Sequence, residues 1–211
     1  MRKIFALSIG FIIILALSAC GSDSQPQDEP GDSAAAAPTD VLSATPTSIQ
    51  TPEPTPILAL EFAFADAEWD GITIPIGQQC QRQGGENPST PRIIVKNIPD
   101  GADAIVLEFS DRNFGPMDDG GHGKIGFKIS EGIKEVLIPS IPGHSFDLPE
   151  NFFIIQEHQA SSFDLAGAYM PPCSDGIGNS YYVTVKAVTI LSEENKTFIL
   201  LTQGVLELGK Y

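Results

Sequence analysis

From Leu58 onward the dominant spacing of apolar residues along the chain is two. Leu58, Leu60, Phe62 and Phe64 alternate with Ala and Glu. Lys124-Ile125-Gly126-Phe127-Lys128-Ile129 and Tyr182-Val183-Thr184-Val185-Lys186-Ala187-Val188 alternate cleanly. Period two places successive side chains on opposite faces of an extended chain, so each run predicts a half-buried strand. Arg92–Lys96, Ala104–Phe109 and Phe152–Ile155 are short β-branched or aromatic runs and predict buried strands. Turn chemistry separates them: Gly84-Gly85, Pro99-Asp100-Gly101, Gly115-Pro116, Gly120-Gly121, Pro142-Gly143 and Pro171-Pro172. Short strands punctuated in this way predict a mostly β domain, a sandwich or barrel. Helix is scarce; the one candidate is a short turn capped at Ser192-Glu193-Glu194, ahead of Phe198–Leu201.

The N-terminal part has a different pattern. Arg2 and Lys3 precede an uncharged, largely apolar run from Ile4 to Ala19, too short for the ~20 residues of a spanning helix. A basic start and a short apolar stretch are the signature of a secretory signal. Leu17-Ser18-Ala19-Cys20, followed by Gly21, resembles the bacterial lipobox. That resemblance implies cleavage before Cys20 and a lipid on its sulfur, which makes 1–19 a lipoprotein signal peptide. The chain would then be held on the outer side of the cytoplasmic membrane or in the outer membrane of a bacterial envelope. Residues 20–56 read as a disordered tether. Seven prolines fall between Pro26 and Pro56 among Ser, Thr, Ala and Asp, with no aromatic residue and no Lys or Arg. Fully extended, it reaches roughly 100 Å. The folded domain is 57–211. If Cys20 is lipidated, Cys80 and Cys173 remain, and in an oxidising compartment two cysteines suggest one disulfide; two buried thiols are the alternative.

Charge narrows the partners. The chain carries 12 Lys and Arg against 27 Asp and Glu, a net charge of -15. A protein that replaces phosphate counterions needs a basic face, so no nucleic-acid partner is expected. Adsorption to anionic lipid through a polybasic patch is excluded on the same ground.

Between 74 and 211 a series of segments, in order, resembles the phosphatidylethanolamine-binding protein (PEBP) family, in particular its bacterial Raf-kinase-inhibitor-like branch. Ile74-Pro75 with Cys80 is similar to "IP…TCDG", and Asn87–Pro91 stands where the family has "SPPL". Ile98-Pro99-Asp100-Gly101-Ala102 resembles "VPxGT". Asp111-Arg112-Asn113 follows at the place of "DPDxP", and His122-Gly123 at that of "HW". Pro172-Cys173 and Gly178–Tyr182 stand at "GPCPP" and "GxHRY", and the tail 201–211 is similar to "LAQAELVGTY". The resemblance implies a PEBP-like sandwich of antiparallel sheets with few short helices. It also implies a pocket for a small anion or phospholipid headgroup.

Carried over position by position, the implied ligand-binding residues are Asp111, His122, Ser180 and Tyr182. The departures are as informative. Arg112 and Asn113 replace the Pro and second Asp of "DPDxP", Gly123 replaces the Trp of "HW", and Ser180 and Tyr181 replace the His and Arg of "GxHRY". An anion site needs donors and positive charge, and one of two histidines is missing. The expectation is a non-catalytic binding protein with a degenerate pocket. The alternative is a structural or protein-interaction module, of the kind that inhibits a protease, with a vestigial pocket and an envelope protein as partner. Cys80 and Cys173 lie in two segments that the family brings together.

Other chemistry is weaker. His122, His144 and His158 lack zinc-ligand spacing, so no metal or cofactor is expected. The loop from Asp111 has Gly115 and His122 where a calcium-binding hand needs Asp or Asn and Glu. There is no GxSxG elbow, and a hydrolase would need Ser180 beside His122, so no catalytic residue is assigned. Asn195-Lys196-Thr197 matches a glycosylation pattern but reads as a turn, and Trp69 reads as core.

Overall fold

The computed structural model describes residues 58–162 and 164–211; the signal-like run, Cys20 and the tether lie outside the described residues. The described residues belong to one compact unit. Among the described residues, eight strands make two antiparallel sheets. The smaller has the order β1 (Glu61–Phe64), β2 (Ile93–Lys96), β5 (Glu135–Ile138). The larger has the order β6 (Phe152–Gln156), β4 (Gly123–Lys128), β3 (Ala104–Asp111), β7 (Ser180–Ser192), β8 (Thr197–Lys210). Helix is limited, among the described residues, to two single 3-10 turns, Gln81–Gln83 and Gly115–Met117.

The predicted period explains the core. On β3, Ile105, Leu107 and Phe109 face the smaller sheet and join Ile93, Val95, Ile138, Ile125, Val183 and Val185 in one buried cluster. Ala104 and Val106 face outward, where Phe153, Ile155, Ile190 and Phe198 cover them. On that outer face Glu108 lies between Lys186 (2.7 Å) and Lys124 (4.0 Å) from the flanking strands. Trp69 is buried with the main core, its ring 6.3 Å from that of Phe64.

Two expectations change. Ser192-Glu193-Glu194 caps no helix; 193–196 is the turn joining β7 to β8, and Phe198–Leu201 lies within β8. Asn195-Lys196 sits in that turn, with Lys196 at φ 51°. β5 is a strand that the periodicity did not mark. It forms because Val136 and Ile138 complete the register against Val95 and Ile93.

Cys80 and Cys173 form a disulfide across a sequence separation of 93. The Cys80 amide also donates to the Pro172 carbonyl (2.8 Å), so the two segments are joined by backbone as well as sulfur.

Candidate functional site

The site residues come from three places: the end of β3, the start of β4, and the loop that leads from Cys173 into β7. Antiparallel pairing of β3 with β7 sets which side chains share a face. Asp111 is opposite Tyr181, and Ser110 is opposite Tyr182. Neighbours in a strand point to opposite faces. Asp111 and Tyr181 therefore share the core face, while Ser180 and Tyr182 project from the other.

On the core face, His122 is 3% exposed and Asp111 4%. The His122 ring meets Tyr181 edge-on, with centroids 5.4 Å apart. Its Nδ1 lies 2.7 Å from the Met170 carbonyl, an acceptor only, so Nδ1 carries the proton. Burial pulls the imidazole down to about 4, against the opposing pull of the Met170 hydrogen bond and of Asp111. The ring is neutral at any physiological pH. Asp111 Oδ1 accepts from the Asn113 amide (2.8 Å), and Oδ2 accepts from the Asn179 side chain (2.7 Å). Asn113 Oδ1 in turn accepts from the Ser180 amide (2.8 Å). Burial pushes Tyr181 up to about 12, and its hydroxyl accepts from the Cys173 amide (3.2 Å).

His122, Tyr181, Tyr169, Phe109, Pro172 and Leu208 line a 160 Å³ concavity, which leaves no room for a water-sized sphere. No Lys or Arg lines it.

On the opposite face, the Arg112 guanidinium lies 4.1 Å from the Tyr182 ring centroid and pairs with Glu207. The Tyr182 hydroxyl donates to Asp118. The predicted set is thus divided. Asp111 and His122 come together, Tyr181 takes the place assigned to Tyr182, and Ser180 contributes through its backbone. No hydrogen bond joins Ser180 to His122 among the described residues. Gly123, next to His122, is required by its surroundings. It has φ 124°, and a Cβ there would lie 2.1 Å from the Ala168 carbonyl oxygen. Any side chain at this position would force the 168–170 segment away from His122.

No family model matches the chain, and no curated protein matches it. Among solved structures, it is similar to a phosphatidylethanolamine-binding protein homolog from Chlamydia trachomatis, with 18% identity and a TM-score of 0.43, over 72% of this chain and 97% of that one.

Residues that the motifs passed over complete the site. Asn113, Asn179 and Tyr181, none of them predicted as site residues, carry hydrogen bonds there. Tyr181 was readable in principle, because it keeps parity with the core residues Val183 and Val185. Next to the disulfide, Gln81, Arg82, Ser162, Asp164 and Leu165 line a more open cleft of about 620 Å³. Ligand atoms of Cys80, Cys173 and Asp164 lie within 4.8 Å of one another there, but sulfurs bonded to each other are not thiolate ligands.

All three histidines hold the loop between β6 and Cys173. His158 Nε2 (2.9 Å) and His144 Nδ1 (3.3 Å) both donate to the Leu165 carbonyl. Their second nitrogens accept backbone amides, His158 from Ala160 (3.2 Å) and His144 from Gln81 (3.4 Å). These bonds make the side chains structural pins of the loop.

Proposed function

We propose that this protein is a lipid-anchored, non-catalytic interaction module of the bacterial envelope. Its domain is PEBP-like in layout, and its pocket region has become part of the structure. One observation carries the reading. The residues that would receive an anion, Asp111 and His122, are buried and hydrogen-bonded, and the concavity beside His122 is closed even to water and has no Lys or Arg in its lining. A phosphate brought to this point would meet a carboxylate and a neutral imidazole. The lipobox-like Cys20 and the Pro-rich tether support an anchored, outward-facing placement. The acidic domain, 10 basic against 21 acidic residues in 57–211, supports a protein partner over a nucleic acid.

The competing reading is headgroup binding through Asp111, His122, Ser180 and Tyr182, and it draws its support from the order of the family-like motifs. Backbone amide NMR of Pro52–Tyr211, titrated with phosphate and then phosphoethanolamine, separates the two. The expected result is no saturable shift around Asp111, His122 and Tyr181 at millimolar ligand. Saturable shifts confined to those segments would reinstate the headgroup site.

A further inference from the structure

The open cleft beside the disulfide shares no lining residue with the concavity at His122. Its volume, about 620 Å³, is that of a small-ligand site. Its two walls are fixed in advance. One is the 3-10 turn Gln81–Gln83, which follows Cys80 and is tied down by the bridge to Cys173 and by the Cys80 amide on the Pro172 carbonyl (2.8 Å). The other carries Ser162, Asp164 and Leu165. There the Asp164 amide donates to the Ala160 carbonyl (2.9 Å), and the Leu165 carbonyl accepts from His158 (2.9 Å). His144 joins the walls: its Nε2 accepts from the Gln81 amide (3.4 Å) and its Nδ1 donates to the Leu165 carbonyl (3.3 Å). Walls held in this way lose little freedom when a ligand arrives.

Two opposite charges of the lining meet on one sulfur. Arg82 Nη2 lies 3.8 Å from Cys173 Sγ, and Asp164 Oδ2 lies 3.6 Å from it. A bridged sulfur is a weak acceptor and has no hydrogen to give. Asp164 Oδ1 accepts from the Leu165 amide (2.8 Å), whereas Oδ2 faces the sulfur and gains no donor from it. The Arg82 guanidinium has five donors in a planar fork, enough to keep a structural partner and hold a carboxylate as well. Beside these charges the Leu165 side chain is 54% exposed and offers an apolar wall.

We propose that this cleft binds a free α-amino acid with an aliphatic side chain, its ammonium on Asp164 Oδ2, its carboxylate on Arg82 and its side chain against Leu165. Charge selects this class. A simple anion at Arg82 would lie beside the Asp164 carboxylate, and a simple cation at Asp164 beside the guanidinium; a ligand that carries both charges satisfies both groups. Spacing selects within the class. The two protein charges contact the same atom, which suits an ammonium and a carboxylate on a single carbon. In an extended peptide the two ends move apart by ~3.3 Å with each added residue. Gln81 and Ser162 supply the remaining polar groups of the lining. The inference does not depend on what the Asp111–His122 site does, so either can fail without the other.

The test is a titration of Pro52–Tyr211, which contains both sheets, the core and the disulfide, with L-leucine, followed by backbone amide NMR. Saturable shifts centred on Arg82 and Asp164 are expected at millimolar ligand. N-acetyl-leucine lacks the ammonium and leucine methyl ester lacks the carboxylate; each should bind more weakly by roughly tenfold or more. Asp164→Asn keeps an acceptor for the Leu165 amide and should abolish the difference between leucine and N-acetyl-leucine. Arg82→Gln should abolish the difference between leucine and its methyl ester. A merely structural role for either side chain would leave both ratios unmoved. The amide spectrum shows whether each variant is folded, and the blocked ligands decide the matter on the unaltered protein if one is not. No saturable shift at tens of millimolar leucine overturns the proposal. So do shifts centred elsewhere, blocked ligands that bind as tightly as leucine, or folded variants that keep both differences.

Discussion

Asp111 accepts one hydrogen bond from the Asn113 amide and another from the Asn179 side chain, and both donors depend on it. Asp111→Ala would leave them without that partner at a site that is 4% exposed. The expected loss is about 1–3 kcal/mol in chemical denaturation, the range for buried groups left unsatisfied. An unchanged midpoint would mean that the pair is not structural. The sequence made Asp111 and His122 legible, since each stands in a recognisable motif. It did not separate Tyr181 from Tyr182. The two are adjacent, and which one faces the core is fixed by pairing with β3, a partner some 70 residues away, which puts Ser110 opposite Tyr182. In a strand, a change of one residue exchanges the faces.

At the scale of an element, the loop ahead of Cys173 depends on His122 and His158. Burial lowers His122 to about 4 and also lowers His158. Around His122 stand Asp111, His158 and Asp164; around His158 stand His144, Asp164 and Glu157. A histidine whose folded pKa lies below its ordinary 6.5 favours the fold while neutral. Its contribution is present above about 6.5 and is lost as pH falls toward 4, because the unfolded chain takes up the proton first. For His122 that window corresponds to about 3 kcal/mol. His122→Asn keeps a donor for Met170 and removes the titration. Its stability should fall less steeply than that of the unaltered protein between pH 6.5 and 4. Parallel curves would remove His122 from this role. The longer elements were legible here, and of the three four-residue strands β5 was not. β3 and β7 announce themselves by alternation over many residues, whereas β5 has four residues and gains its register only from β2.

For the whole molecule, the Cys80–Cys173 bridge closes the longest covalent loop among the described residues. Replacing both cysteines by serine should lower stability by about 2–5 kcal/mol, since the bridge restricts the unfolded chain. Equal denaturation midpoints for the two forms under oxidising conditions would contradict this. By itself the sequence determined what depends on local chemistry. Period two called for strands, Gly and Pro clusters called for turns, and acidity argued against a nucleic-acid partner. Two cysteines beyond Cys20 allowed one bridge. Only the tertiary structure decided matters set by residues far apart in the chain. Strand pairing put Tyr181 rather than Tyr182 beside His122, burial left that histidine uncharged, and the strand order put β8 at the edge of its sheet.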